Sequence, residues 1–288
     1  MTAIATQPAT SAVAERVRAD LAGHHPLSAE QIARFRRDGF IKLKDVLAPE
    51  TLAWCGAAIT GEVMKRRQDK PMASRTTYEK AFLQIMNLWT VNEAVREFTV
   101  GHKLARLAAE LMGVAGVRLY HDQALYKEPG GGHTPWHCDQ QYWPLATDHT
   151  VTVWVPLQSV PEEMGPLSFS IGSHAVDFGR ALEISDDSER EVARRLKLSD
   201  LPTECSPFDL GEISFHGGWT FHRAPANQTD RLRSVMTVIY HDADAHVAAP
   251  ANRNQENDLA TWLPGLKAGD LAASPINPEL YRVDSAGP

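Results

Sequence analysis

Apolar residues follow two patterns along this chain: helical spacing up to about Gly116, then short runs of strand type. Ser28-Ala-Glu-Gln31 is a capping box, whose hydroxyl and side-chain amide can satisfy the free N–H groups of a helix start. It predicts a helix running to about Asp38. Gly39-Phe40-Ile41-Lys42-Leu43 then alternates as a short strand does. Pro49-Glu50 opens a second helix, with Leu52, Ala53, Ile59 and Val63 as its expected buried face. Val95, Phe98, Leu104, Leu107 and Leu111 recur through a third helical stretch, Val91 to Met112, with Gly113 as its stop. Residues 1–26, ahead of the capping box, are expected to be a flexible leader.

Beyond Gly116, Val117–Lys127, Val151–Leu157, Leu167–Ile171, Gly211–Phe215 and Ser234–Tyr240 are rich in β-branched and aromatic residues and are punctuated by Gly, Pro and Asp. Many short strands with polar turns predict a β-barrel or sandwich. The expected architecture is mainly β with a helical annex. The helical part covers about 27–116, the β core about 117–245, and an irregular C-terminal cap about 246–288. Trp262 and Leu263 are expected to pack the cap down, and the Pro-containing tail from Ala272 to be irregular.

Composition narrows the function classes. With 43% hydrophobic residues in 288, the chain can bury one large core. A net charge of -7 offers no general attraction to nucleic acid or to an anionic membrane surface. No apolar run approaches the length of a membrane span, and the N-terminus lacks the basic start and apolar stretch of a secretory signal. Cys55, Cys138 and Cys205 are scattered and odd in number, which points to a reduced, cytoplasmic setting without a disulfide framework. The oligomeric state is left open.

The sharpest chemical signal is His133-Thr-Pro-Trp-His-Cys-Asp139. On a strand, His137 and Asp139 are two apart and share a face, which sets an imidazole beside a carboxylate. A third ligand has to come from elsewhere, and His222 follows another strand and the Gly217-Gly218 turn. Two His and one carboxylate on one face of an octahedron leave the other positions open, the facial triad of Fe(II) oxygenases. Cys138, between the ligands, should point away into the core. The remaining His121, His149, His174, His216, His241 and His246 carry no comparable signature and are expected to be structural or exposed. Arg233 lies eleven residues beyond His222. If His222 ends one strand and Arg233 enters its antiparallel neighbour, a guanidinium faces the same cavity and can form a bidentate pair with a carboxylate. Arg231 has the same parity and competes for that role.

Five segments, in order, resemble the phytanoyl-CoA dioxygenase family: Asp38-Gly-Phe-Ile-Lys-Leu43, Pro135-Trp-His-Cys-Asp-Gln-Gln-Tyr-Trp143, Val151-Thr-Val-Trp-Val-Pro-Leu157, Gly165-Pro-Leu-Ser-Phe-Ser-Ile-Gly-Ser-His174, and His222…Asn227…Arg233. The resemblance implies a double-stranded β-helix (jelly-roll, cupin-like) barrel, with residues 27–288 forming a single oxygenase domain. It also implies Fe(II), with 2-oxoglutarate and O2 as cosubstrates. His137, Asp139 and His222 match its iron ligands. Arg233, favoured over Arg231 on this ground, matches the residue that pairs with the far carboxylate of 2-oxoglutarate. Trp154 matches an aromatic position lining that cosubstrate. Lys127, before Glu-Pro, falls near a strand lining cosubstrate or substrate. Gln84, in Phe82-Leu-Gln-Ile-Met-Asn, is expected to reach the pocket from the helical annex.

The implied reaction is oxidation of an unactivated C–H bond of a small metabolite or acyl substrate, with release of succinate and CO2. Hydroxylation is the default, and desaturation or cyclisation are possible variants. Some family members replace the carboxylate ligand with Gly or Ala and thereby admit a halide, but Asp139 fills that position here. Trp136, Tyr142, Trp143 and Trp219 flank the ligands and predict an aromatic-walled pocket, with Arg223 and His133 available to an anionic substrate group. Two rival readings, a non-catalytic cupin-like metal-binding protein and a metal-dependent hydrolase on the same ligands, have no use for a dicarboxylate clamp made by Arg233 and Trp154.

Overall fold

A computed structural model describes residues 7–67 and 70–283 of the chain. Helices α1 (Gln7–Ala22), α2 (Ala29–Asp38) and α3 (Pro49–Arg66) surround strand β1 (Phe40–Leu43) in sequence. Helix α4 (Thr77–Ala81), strand β2 (Leu83–Met86) and helices α5 (Glu93–Thr99) and α6 (His102–Met112) follow. Strands β3 (Gly116–Tyr126), β4 (Thr134–His137), β5 (Thr150–Pro156) and β6 (Ser168–Ser170) lead to helix α7 (Asp186–Leu198). Then come β7 (Thr203–Cys205), β8 (Ile213–Gly217), β9 (His222–Ala224), β10 (Val235–Asp242), helix α8 (Arg253–Trp262) and β11 (Glu279–Arg282). The strands form two antiparallel sheets. The larger runs β1-β8-β5-β10-β3-β11, with β2 also on β3, and the smaller runs β4-β9-β6-β7. No helix among the described residues is long and apolar enough to cross a membrane.

Strand alternation divides the larger sheet into two chemically different faces. Val151, Val153 and Val155 of β5, Ile213 and Phe215 of β8, and Met236, Val238 and Tyr240 of β10 are buried in one apolar core with Leu104, Leu107 and Leu111 of α6. The residues between them, Thr152 and Trp154, His216, Thr237 and Ile239, line a cavity on the other face, together with His121, Gln123 and Leu125 of β3. The core side is close-packed, so truncating Leu107 would cost about 2–5 kcal/mol. The opposite face can carry Thr, Gln and His because they border a cavity.

The N-terminal helices follow their sequence signals closely. Ser28 and Gln31 form both hydrogen bonds of the capping box. Pro49 stands in the first turn of α3, and Gly113 closes α6 with φ 75°, its N–H donating 2.8 Å to the Ala109 carbonyl.

Several expectations need correction. Within residues 1–26, the described part is not a flexible leader (residues 1–6 lie outside the described residues). It contains α1, whose Val17 and Leu21 are buried in the main core. Asp20 holds it in place by accepting the Ala48 N–H at 2.9 Å and pairing with Lys103. Ala53 of α3 is exposed, and Thr51, Cys55 and Gly56 share the buried face instead. The helix expected over Val91–Met112 is two, with Gly101 capping the second. The boundary at 117 also fails, because β1 and β2 from the helical part join the larger sheet. The expected β core contains a helix, α7, and the cap is not irregular. It contains α8, and β11 within the Pro-containing tail pairs with β3. Residues 284–288 lie outside the described residues.

Candidate active site

His137 is the last residue of β4 and His222 the first of β9, and the two are direct partners in antiparallel register. Cross-strand partners sit close enough for their side chains to meet, and here the ring centroids are 4.1 Å apart. Asp139 is not on the strand. It begins a 3-10 turn, Asp139–Tyr142, so the chain's bend after Cys138 swings the carboxylate to the imidazoles, rather than strand parity. Its Oδ1 lies 3.7 Å from His137 Nε2 and 3.6 Å from His222 Nε2. Adjacent ligands of an octahedral ion at about 2.1 Å stand about 3 Å apart, so a small closure would bring these three atoms onto one ion.

The backbone fixes the tautomers. His137 Nδ1 is 2.7 Å from the Pro135 carbonyl, and His222 Nδ1 is 2.9 Å from that of Thr220. A carbonyl only accepts, so each Nδ1 carries the proton and each Nε2 presents a lone pair. Burial is the main reason the pKa of each ring is lowered to about 4, with a neighbouring imidazole adding to it, so both are neutral at physiological pH. Burial works to raise Asp139, but its close contacts with His222, His216 and His137, the His216 hydrogen bond among them, hold it well below the usual carboxylate range. Its Oδ2 accepts from Thr152 Oγ1 at 2.9 Å and from His216 Nε2 at 3.3 Å.

Gly39 supports this cluster from a distance. It caps α2 at φ 84°, and a Cβ there would stand 2.7 Å from Thr220 Oγ1. Thr220 in turn donates its hydroxyl to the Gly39 carbonyl at 2.7 Å, while its own carbonyl orients His222. The positive φ and this close approach together require glycine.

The His137, Asp139 and His222 side chains open into a cavity of about 340 Å³ lined from both sheets. Arg233 stands in its wall with only 2% of its surface exposed. One guanidinium nitrogen donates to the Gly165 carbonyl, and Nε has no partner. Burial lowers its pKa to about 9, which leaves it charged at neutral pH. No carboxylate among the described residues pairs with it. Trp154, also in the wall, lies with its ring centroid 5.5 Å from the guanidinium carbon. Arg231 is exposed to solvent. Contrary to expectation, β9 and the Arg233 segment do not neighbour one another in a sheet. β9 lies in the smaller sheet, whereas Arg233 bridges Lys127 just ahead of β10 of the larger one, and His222 and Arg233 both line the cavity.

Lys127 does not line the cavity. Its Nζ donates to the carbonyls of Gly132 at 2.6 Å and Pro225 at 2.9 Å, while its backbone exchanges two 2.9 Å hydrogen bonds with Arg233. Burial, then the field of Arg233, pushes it down to about 6. Its place is therefore to pin the Arg233 segment and a loop. Gln84 does line the cavity, but from β2 rather than from a helix, and donates to Gln123 Oε1 at 2.6 Å.

Of the aromatics expected in the pocket, Tyr142 and Trp143 line it. Trp136 is instead buried beside α7, with Arg223 over its ring and paired to Glu189 at 3.0 Å. Trp219 donates to Asp148 at 2.7 Å, and His133 is exposed. Cys138 is buried in the cluster around α7 and Phe221, as expected. Two histidines expected to be structural or exposed are in the wall: His216 against Asp139, and His121. Asp258, Asn254 and Trp262 of α8 and Glu183 were not anticipated there either. The signal for His216 was available: in Ile213-Ser-Phe-His216 polar residues alternate with apolar ones on a buried strand. The α8 residues gave no such signal, because only docking of the helix brings them to the cavity.

The phytanoyl-CoA dioxygenase family profile matches residues 35–235, which contain the whole triad and Arg233. The chain belongs to the phytanoyl-CoA dioxygenase family. Among curated relatives, the ectoine dioxygenase of Stutzerimonas stutzeri is 24% identical over 249 residues, covering 78% of this chain and 80% of its own. The methylphosphonate hydroxylase of Gimesia maris is 25% identical over 232 residues, covering 75% and 81%. Among solved structures, the non-heme alpha ketoglutarate dependent carbocyclase SnoK from nogalamycin biosynthesis superposes with a TM-score of 0.72 at 25% identity, covering 89% of this chain and 99% of its own. EctD from S. alaskensis, solved with 2-oxoglutarate and 5-hydroxyectoine, gives 0.61 at 19% identity, over 80% and 83%. This member of the family is an Fe(II)- and 2-oxoglutarate-dependent dioxygenase. Its His-Asp-His cluster is the metal-type site among the described residues.

Proposed function

We propose that His137, Asp139 and His222 hold the Fe(II), that Arg233 pairs with the distal carboxylate of 2-oxoglutarate against Trp154, and that the enzyme hydroxylates a C–H bond of a small molecule. The observation that carries this reading is a buried cation with no anion: Arg233 faces the cavity that the triad also faces, and no carboxylate partners it. A buried unpaired charge is costly, and a bound dicarboxylate would relieve that cost.

The donor set suits ferrous iron. Two neutral imidazole nitrogens and one carboxylate oxygen would hold the ion and leave room for a chelating 2-oxo acid and O2. When bound, the iron couples decarboxylation of 2-oxoglutarate to succinate and CO2 with oxidation of the substrate. The chain's own residues supply placement. The Pro135 and Thr220 carbonyls fix the ligating nitrogens, and Thr152 holds the second oxygen of Asp139. The walls from both sheets limit access of water to the reacting bond. Asp139 occupies the position a halide would need, which favours hydroxylation, with desaturation or ring closure as variants, over halogenation.

The two antiparallel sheets facing one cavity support a double-stranded β-helix fold. The core shared by the helices and the larger sheet supports a single domain that takes in α1. Three free cysteines, two of them buried, support a cytoplasmic setting.

The test is an anaerobic titration with Fe(II) and then 2-oxoglutarate, watching for the weak visible charge-transfer band. The band is expected in the native protein and in Arg231→Ala, and only at much higher 2-oxoglutarate in Arg233→Ala. Absence of the band in the native protein, or equal affinity in Arg233→Ala, would overturn the assignment.

A further inference from the structure

The cavity extends beyond the triad and Arg233 to α8 and to Glu183. Hydrogen-bond acceptors and aromatic faces dominate that part of the lining, with the Asn254 amide beside them. His121 of β3 lines the cavity and is 4% exposed. Its Nδ1 lies 3.3 Å from the Asp122 carbonyl, which only accepts, so Nδ1 carries the proton and Nε2 is an acceptor with no hydrogen-bond partner among the described residues. Burial keeps the ring neutral, with its pKa near 4. Asp258 of α8 reaches the same cavity, with one carboxylate oxygen 3.0 Å from the Tyr120 hydroxyl. Glu183 stands at the exposed rim. Tyr142, Trp143 and Trp262 supply the aromatic wall, the Trp262 ring 4.8 Å from that of His121. Arg233 is the one Lys or Arg among the described residues of the lining.

A neutral imidazole acceptor, two carboxylates and three aromatic faces, with no cation left to balance them, suit a positively charged donor. A phosphonate, phosphate or carboxylate substrate would meet repulsion here and find no cation to pair with. An ammonium would donate to His121 Nε2 and Asp258, and the ring faces would attract its charge. We propose that the substrate of this enzyme is a small-molecule amine, bound as its ammonium between His121, Asp258 and the Trp143 and Trp262 rings, with Glu183 attracting it at the entrance. This rests on the proposed function above, which assigns Arg233 to 2-oxoglutarate.

The test uses three probes of one shape and different charge: cyclohexylamine, cyclohexanol and cyclohexanecarboxylate. Their affinities are measured by calorimetry, anaerobically, on the Fe(II)-loaded protein with and without 2-oxoglutarate, in mildly alkaline buffer. The amine is expected to bind about tenfold or more tightly than either other probe. Asp258→Asn should lose most of that preference while leaving cyclohexanol and 2-oxoglutarate affinity unchanged. Glu183→Gln, at an exposed position where folding is not at stake, should lose about two- to threefold of amine affinity. The inference is overturned if the carboxylate binds as tightly as the amine, if the amine fails to bind at millimolar concentration, or if its preference survives both substitutions. Failure of 2-oxoglutarate to bind the native protein would sink the assignment of Arg233 instead, and the amine's advantage over cyclohexanol, with its loss in Asp258→Asn, would still decide the charge preference.

Discussion

At one end of the cavity the charged group is a fully buried guanidinium, and at the other it is a partly exposed carboxylate. Arg233 lies just before β10, is pinned through its backbone to Lys127, and has 2% of its surface exposed. Asp258 rides on α8, a helix with no fully buried residue, which docks through Trp262, Leu259 and the Tyr120 hydroxyl. A segment bridged at the end of an interior strand cannot shift without breaking hydrogen bonds of its ladder, whereas a helix packed on the outside can be repositioned at less cost. The proposed iron and 2-oxoglutarate groups thus stand on strands or within two residues of a strand end, while the proposed substrate contact stands on an appended helix.

The largest effect should come from the centre both ends share. Asp139→Gly is expected to abolish succinate formation and lower the bound iron, read by metal content and a coupled assay in chloride buffer. A chlorinated product from the native protein would remove the case that Asp139 excludes halide.

Next comes the Arg233 end. Arg233→Ala should weaken 2-oxoglutarate by about 2–5 kcal/mol with iron binding nearly intact, whereas Asp258→Asn should leave 2-oxoglutarate untouched. If both substitutions weaken it equally, the two ends are not separate.

Lys127 distinguishes support from contact. Lys127→Met leaves the Gly132 and Pro225 carbonyls without their donor and should cost about 1–3 kcal/mol of folding stability, measured by denaturant unfolding. Its 2-oxoglutarate affinity, measured on the folded protein, should stay near that of the native enzyme. A collapse of that affinity would return Lys127 to the cosubstrate.

The smallest effect is one of pH. Burial pushes Asp258 up to about 7, above its ordinary 3.8, with the Tyr120 hydrogen bond opposing the shift. The folded state therefore holds a proton that the unfolded chain has lost between those values, and this group's contribution to stability falls as pH rises through that window. Because the carboxylate is partly exposed, the expected cost is about 1–2 kcal/mol. Asp258→Asn should match the native protein near about pH 4 and exceed it in stability by that amount near about pH 8. Equal stability at both pH values would mean that burial does not disfavour the ionised carboxylate.

Much of the molecule was legible in the chain because it depends on local rules. The capping box at Ser28, Pro49 at a helix start, Gly113 at a helix stop and the alternation in Val151-Thr-Val-Trp-Val all act within a few residues, and each is realised. His137, Asp139, His222, Arg233 and Trp154 were legible as a set through ordered motifs, although strand parity misplaced Asp139, which lies on a turn.

Sequence alone determined which residue types were available for a metal, a dicarboxylate clamp and an apolar core. Tertiary structure decided how far apart they stand. The β4–β9 register sets His137 opposite His222, and the facing of two sheets brings Arg233 to the triad's cavity while Arg231, of equal parity, stays in solvent. Docking of α8 brings Asp258 and Trp262 to a wall formed by residues more than a hundred positions earlier, such as His121. Register, sheet packing and helix docking are set by burial summed over many residues distant in sequence, so no local window carries them.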